Sequence, residues 1–282
     1  MRRPGALVAA GRTSDVYEFG ADAVVKVPRP DVPDHWVALE AEFTAAVRTL
    51  HVPAPTVIDV VEIDGRTAIV LELIEGRSLW EHIVDEPHRV REFAGVLADT
   101  QRAIFAAGPP EGLDGLVDRM CRKIDDVAGL TDDERAEAAD LAVRQPRGAA
   151  LLHGDLHPGN LLMTDDGPIV IDWFDASIGH PVADVVRSSI LMRAHRGSSG
   201  PSHLPGADRA VLDALHGAYV DAMRDLLDID PAVLHDWETL AAVSRLSEGD
   251  QPDAMALTER WRQRADRGAS LLLELLSGDR TR

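Results

Sequence analysis

His153-Gly154-Asp155-Leu156-His157-Pro158-Gly159-Asn160 is the densest polar run in an otherwise apolar stretch, and Ile171-Asp172-Trp173 follows with Asp172 twelve residues after Asn160. Leu151-Leu152 precedes the run, and Leu161-Leu162 and Ile169-Val170-Ile171 come after it. That alternation of apolar pairs and polar residues predicts a strand, a loop and a hairpin. Phosphoryl transfer needs one carboxylate to orient the attacking hydroxyl, and an Asn and a second Asp to hold a divalent metal on nucleotide phosphates. Position and charge are nearly all a protein can contribute to that reaction. Asp155, Asn160 and Asp172 have the types, order and spacing for these roles. A competing reading takes His153, Asp155 and His157 as the ligands of a metal-dependent hydrolase. It leaves Asn160, Asp172 and an upstream lysine without a purpose.

That lysine is Lys26, in Val24-Val25-Lys26-Val27. An ammonium in an apolar strand is costly unless paired. Around it, Ala6–Ala10, Val16–Phe19, Ala23–Val27, Val57–Ile63 and Thr67–Leu73 predict five strands, with Asp64-Gly65 as a tight hairpin between the last two. Trp36, Leu39, Phe43, Val47 and Leu50 recur at three- and four-residue steps, which predicts one helix ended by Pro53 and Pro55. From Leu79 onward the pattern is helical: Trp80–Ala107, Leu113–Ala128, Asp132–Arg144, Ala210–Leu227 and about Asp253–Leu276. Thr131 with Glu134 forms a capping box, and Asp230-Pro231 marks another helix start. Gly197–Gly206, rich in Ser, Pro and Gly, reads as an extended loop. Gly167-Pro168 reads as a hairpin turn, and Trp173 and Phe174 as core.

Taken together, the His-Gly-Asp-x-His-x-x-Asn loop, the Ile-Asp-Trp segment and Lys26 resemble the aminoglycoside phosphotransferase and choline kinase family, distant relatives of the protein kinases, from Gly11 to about Met192. The resemblance implies an α+β, two-lobed protein-kinase-like fold. Its small β-rich N-terminal lobe, with one helix, would span residues 1–75 and bind nucleotide. A larger, mainly helical C-terminal lobe, residues 76–282, would carry catalysis and the acceptor. By resemblance Asp155 is the catalytic base, Asn160 and Asp172 ligate Mg²⁺, and His153, His157 and Asp184 brace the catalytic loop. Lys26 grips the α- and β-phosphates of ATP or GTP while paired with a helix carboxylate. Family spacing favours Glu40 for that partner, with Glu42 as the alternative. Thr13 and Ser14 lie in the loop over the phosphates, and Glu72 and Ile74 in a hinge whose backbone meets adenine. A nucleotide-binding pseudokinase is the non-enzymatic alternative, and it would lack a catalytic residue. None of those three is missing.

Composition narrows the partners. The 282 residues hold 29 Lys+Arg against 48 Asp+Glu, a net charge of −19, which disfavours nucleic acid and anionic membrane surfaces. Only Lys26 and Lys123 are lysines; every other basic side chain of this class is arginine. A lysine that survives such a bias calls for an explanation. Cys121 is the only cysteine, and no apolar stretch approaches 18 residues. The first fits a cytoplasmic setting and the second removes a membrane span; a monomer or homodimer is expected. Met1-Arg2-Arg3 opens as a signal peptide would, but the apolar run after it is broken, so it reads as a first strand. Residues 203–250 carry ten acids against three arginines. This implies an acidic wall, sampled by Asp225 and Glu238, suited to a cationic small-molecule acceptor such as an aminoglycoside or a basic peptide antibiotic. A metabolic acceptor (choline, homoserine, methylthioribose or a sugar) competes with it.

Overall fold

The computed structural model describes residues 3–194, 208–249, 254–265 and 270–277. Five antiparallel strands form the first sheet: β1 (Leu7–Ala10), β2 (Ser14–Glu18), β3 (Ala23–Pro28), β4 (Val57–Ile63) and β5 (Arg66–Glu72), in the order β1-β2-β3-β5-β4. Helix α1 (Asp34–Thr49) is inserted between β3 and β4. The β4–β5 turn has Asp64 at φ +50° and Gly65 at φ +77°. Two successive left-handed residues are what a tight hairpin matching the strand twist requires, and Gly65 supplies the second without strain.

Residues 73–76 link β5 to a region of helices and short strands. In order these are β6 (Arg77–Ser78), α2 (Leu79–Asp85), α3 (Val90–Ala107), α4 (Leu116–Asp125), α5 (Asp132–Arg144), β7 (Ala150–Leu152), β8 (Leu161–Thr164), β9 (Gly167–Val170), β10 (Ser177–Gly179), α6 (Pro181–Ala194), α7 (Arg209–Ala222), α8 (Arg224–Leu227), α9 (Pro231–Arg245), α10 (Ala254–Arg262) and α11 (Leu271–Leu276). The expected architecture is therefore present: a β-sheet lobe with one helix, followed by a mainly helical lobe. No helix among the described residues is long and apolar enough to cross a membrane.

Three expected helices are divided, the last of them, about Asp253–Leu276, into α10 and α11. Trp80–Ala107 is broken into α2 and α3 by a turn at Pro87–Arg89. Pro87 has no N–H to donate and forces Glu86 out of the helical region, to φ −127°, ψ 58°. Ala210–Leu227 is split into α7 and α8 at Met223. The expected helix 113–128 begins only at Leu116, after Gly115. Gly197–Gly206 and Asp253 lie outside the described residues.

Both sides of the junction at 73–76 feed one large core. Phe43 and Val47 of α1 join a cluster with Leu79, Phe93, Leu97, Leu151, Trp173, Tyr219 and Trp237, so α1 is buried against both lobes. A smaller cluster of Phe19, Val25, Val27, Ala68 and Val70 seals one face of the sheet. The capping boxes at Thr131/Glu134 and, unforeseen, at Ser78/Glu81 start α5 and α2. Because Ser78 satisfies the Glu81 N–H just where the chain enters the second lobe, Ser78→Ala should lower stability by about 1 kcal/mol. Chemical denaturation of wild type and variant checks this, and an unchanged midpoint would refute it.

Candidate active site

Lys26 on β3 is the centre of one half of the site. Its side chain is 13 % exposed, and Nζ lies 2.5 Å from Glu40 Oε1 on α1 and 3.0 Å from Asp172 Oδ1. Glu42 points to solvent, so Glu40 is the partner. Burial alone would push Lys26 down, but the charges of Asp172 and Glu40 more than offset it, and the ammonium stays charged. Asp172 follows β9 in the left-handed region, φ +66°. A non-glycine residue there costs energy and persists where the surrounding structure imposes it. Here that conformation precedes a tight turn at 173–175, which carries Trp173 into the core and turns Asp172 toward Lys26.

The catalytic-loop candidates hang between β7 and β8. Gly154 sits at φ +80°, and a Cβ there would come within 2.3 Å of the Asp175 carbonyl oxygen. Only glycine lets the loop backbone pack this closely on the 173–175 turn. Asp184 on α6 accepts from the N–H groups of His153 (3.3 Å) and Gly154 (2.8 Å) and from Gln101 Nε2 (3.0 Å). His153 is fully buried, with Nδ1 accepting from the Asp155 N–H at 3.2 Å and Nε2 at 3.1 Å from the Ile171 carbonyl. With burial holding its pKa down and both ring nitrogens engaged by backbone, it is no metal ligand. His157 Nδ1 likewise accepts from the Gly159 N–H at 3.0 Å. These bonds correct the hydrolase reading: the two histidines shape the loop.

Asp155 stands at the loop's apex with its side chain 29 % exposed. Its Oδ1 accepts from Arg187 at 3.1 Å, and Asn160 Nδ2 donates to its carbonyl at 2.9 Å and lies 3.5 Å from its Oδ2. Burial pushes the carboxyl up to about 7 against the pull of Arg187. Among the described residues no hydrogen bond reaches Asp172 Oδ2 or Asn160 Oδ1. Two hard oxygens are thus left to a divalent cation.

The nucleotide-loop and hinge candidates lie in the first lobe and at its junction with the second. Thr13 is exposed between β1 and β2, and Ser14 is buried at the start of β2. Glu72 accepts from the Thr56 N–H and hydroxyl, at 2.9 and 2.6 Å, so its side chain is structural. No hydrogen bond among the described residues uses the backbone of Ile74. Asp225 and Glu238 are engaged elsewhere. Asp225 pairs with Arg102 at the surface, while Glu238 is buried, accepting from Arg260 at 2.6 Å and from the Leu272 N–H at 3.0 Å. The proposed acidic wall is corrected accordingly: these acids hold helices together. Asp250 lies outside the described residues.

Sequence reasoning missed the second half of the site. Asp175, Arg119, Lys123, Arg187 and Glu248 form an ion cluster beside Asp155. Asp175 is 2.7 Å from Arg119 and 3.0 Å from Lys123; Glu248 is 2.5 Å from Arg187, 3.3 Å from Lys123 and 3.2 Å from Arg245. Arg12, in the β1–β2 loop, reaches across to the Glu248 carbonyl. Phe174, read as plain core, is held between Trp36, at 5.3 Å, and the Arg119 guanidinium, at 5.1 Å. The available signals were spacing, with Asp175 three residues after Asp172 and Arg187 three after Asp184, and the rarity of lysine.

The sequence pattern of the phosphotransferase enzyme family (APH) matches residues 5–225. Similar solved structures include a thermostable mutant of aminoglycoside phosphotransferase APH(4)-Ia, with TM-score 0.59 and 18 % identity, covering 98 % of this chain and 95 % of that one. The amicoumacin kinase hAmiN in complex with AMP-PNP, Ca²⁺ and Ami has TM-score 0.57 and 14 % identity, covering 94 % and 90 %. A choline/ethanolamine kinase family protein from Mesorhizobium loti has TM-score 0.56 and 16 % identity, covering 97 % and 92 %. The uncharacterized protein YcbJ of Bacillus subtilis is 22 % identical over 169 residues, and the match spans about half of each chain (52 % and 53 %).

Asp155 provides a check on this site that needs no acceptor. Its carboxyl is held above the ordinary range in the fold, so between about pH 4 and 7 the unfolded chain has lost a proton that the folded chain keeps, and stability falls as pH rises. Asp155→Asn removes that titration. The variant should gain stability relative to wild type across this window and hold the gain above pH 7. Thermal melts over a pH series test it, and a difference independent of pH would contradict the placement.

Proposed function

We propose that this chain, which belongs to the phosphotransferase enzyme family, transfers the γ-phosphoryl group of ATP or GTP to a hydroxyl of a small molecule, with Mg²⁺ as the metal and in the cytoplasm. The observation that supports it above all others is Lys26 bonded at once to Glu40 and Asp172, with Asp172 next in the chain to Ile171, whose N–H bonds the carbonyl of Asn160, itself bonded to Asp155. A lysine fixed between two carboxylates presents its remaining donor capacity to phosphate oxygens.

The geometry supports these roles. Asn160 Oδ1 and Asp172 Oδ2 would hold the metal, which when bound neutralises charge on the transferring phosphoryl group. Lys26 orients the α- and β-phosphates, and the loop at 11–14 covers them. The acceptor hydroxyl meets Asp155, whose carboxylate accepts its proton as the new O–P bond forms and the bond to the leaving nucleoside diphosphate breaks. Asn160, bonded to the Asp155 carbonyl, ties the metal position to the base position. The free backbone of Ile74 suits an adenine edge.

Neighbours of this fold are named for antibiotics and for choline or ethanolamine, so the acceptor must be inferred from this chain's own site. A polycationic antibiotic would need free carboxylates near Asp155. Asp225 and Glu238 have other partners, which favours a metabolic or other acceptor without multiple positive charges. The test is nucleotide binding and turnover. Asp172→Ala should abolish Mg²⁺-dependent nucleotide binding, Lys26→Ala should weaken it, and Asp155→Asn should keep it while cutting phosphoryl transfer by on the order of 10² to 10⁴-fold. Near-normal transfer by Asp155→Asn would overturn the assignment.

A further inference from the structure

Both lysines of this arginine-rich chain lie beside the catalytic loop, and the second is bonded to neither of the carboxylates that hold the first. Lys26–Glu40–Asp172 stands on one side of the loop. On the other side Lys123 bonds to Asp175 Oδ2 at 3.0 Å and Glu248 Oε1 at 3.3 Å. Lys123 and Arg119 are one turn apart on α4, and α6 brings Arg187 to the same place. These three cations line one cavity of about 40 Å³ that reaches Gly154, the residue before Asp155, with Asp175 and Asp184 also in its wall. At roughly one water per 10–15 Å³ of such space, a carboxylate or phosphoryl head fits where about three waters would stand.

Donor capacity exceeds what the protein uses. Arg119 donates through Nε and Nη2 to Asp175 and the Phe174 carbonyl, and Arg187 through Nε and Nη2 to Gly154, Asp155 and Glu248. Among the described residues, no hydrogen bond engages Nη1 of either arginine or the third Nζ proton of Lys123. Asp184 directs its oxygens to loop N–H groups and Gln101 and is bonded to none of the three cations. The Asp175 carboxyl, 13 % exposed in its side chain, is held far below its ordinary range by Lys123 and Arg119, whereas Asp155, which faces Arg187, is pushed up by burial and by the charges of Asp175 and Glu248. A compact ammonium with three rotatable donors suits such a crowded wall better than another planar guanidinium.

We infer that Lys123, with Arg119 and Arg187, recognises an anionic group, a carboxylate or phosphate, on the acceptor whose hydroxyl Asp155 activates. This rests on the phosphotransferase reading and gives its acceptor a chemical class. The same cations could instead serve the nucleotide's terminal phosphate, and the experiment separates the two. Matched probes differing by one carboxylate, glycerate against glycerol and homoserine against 3-aminopropanol, are offered with Mg²⁺ and nucleotide, beside choline and kanamycin. Turnover is measured, and so is the thermal stabilisation each probe gives the nucleotide-saturated protein.

The acid member of a pair should be the better acceptor or the stronger stabiliser. Lys123→Met should raise its KM, or weaken its stabilisation, about ten- to a hundredfold, the range for losing a charge-assisted hydrogen bond. Nucleotide affinity should stay unchanged, and Lys123→Arg should recover part of the loss. The inference falls if acid and alcohol members act alike, if only choline or kanamycin is turned over, if no probe stabilises the protein, or if Lys123→Met weakens nucleotide binding alone. In each of those cases Mg²⁺-nucleotide binding that is lost in Asp172→Ala keeps the phosphotransferase reading standing. Loss of that binding's dependence on Asp172 sinks the reading itself.

Discussion

A single buried ammonium joins the two halves of this protein. Lys26 comes from the centre of the five-stranded sheet, Glu40 from the helix that packs against both lobes, and Asp172 from the turn that follows β9. Remove the lysine charge and two carboxylates face each other at low dielectric; remove either carboxylate and the ammonium is under-compensated. Sheet, helix and turn are therefore held at one spacing by charge as much as by packing. The strained backbone of Asp172 is tolerated because Trp173, next in the chain, is fully buried with its Nε1 bonded to the Val170 carbonyl at 3.0 Å.

Much of this was legible beforehand. The alternation of short apolar strands with Gly and Asp turns marked the first lobe, since a strand's two-residue period and a left-handed Asp-Gly turn are local properties. Lys26 was readable because a charge in an apolar strand demands a partner, and Asp155, Asn160 and Asp172 because their types, order and spacing suit the groups that phosphoryl transfer needs. What could not be read was everything set by distant pairing. Asp225 and Glu238 looked like a wall when counted along the chain, yet Arg102 and Arg260, 123 and 22 residues away, decide where they point. Helical phase does not encode that, and net charge averages over it.

The same limit hid the cluster around Asp175 and Glu248. Its members come from α4, the turn after Asp172, α6 and the turn after α9, and no sequence window contains more than two of them. Its energetic character also differs from the surface pairs. Arg187 and Glu248 are nearly fully buried, 10 % and 9 % exposed in their side chains, so breaking that pair leaves an unscreened charge beside Asp155. Exposed pairs such as Arg77–Asp85 contribute little by comparison.

The family pattern ends at residue 225, whereas Glu248 lies beyond it. One of the charges that set the environment of Asp155 thus comes from a part of the chain beyond the family pattern. The turn after α9 can therefore alter the charge felt by Asp155 without contacting it, because Glu248 and Asp155 share the Arg187 guanidinium.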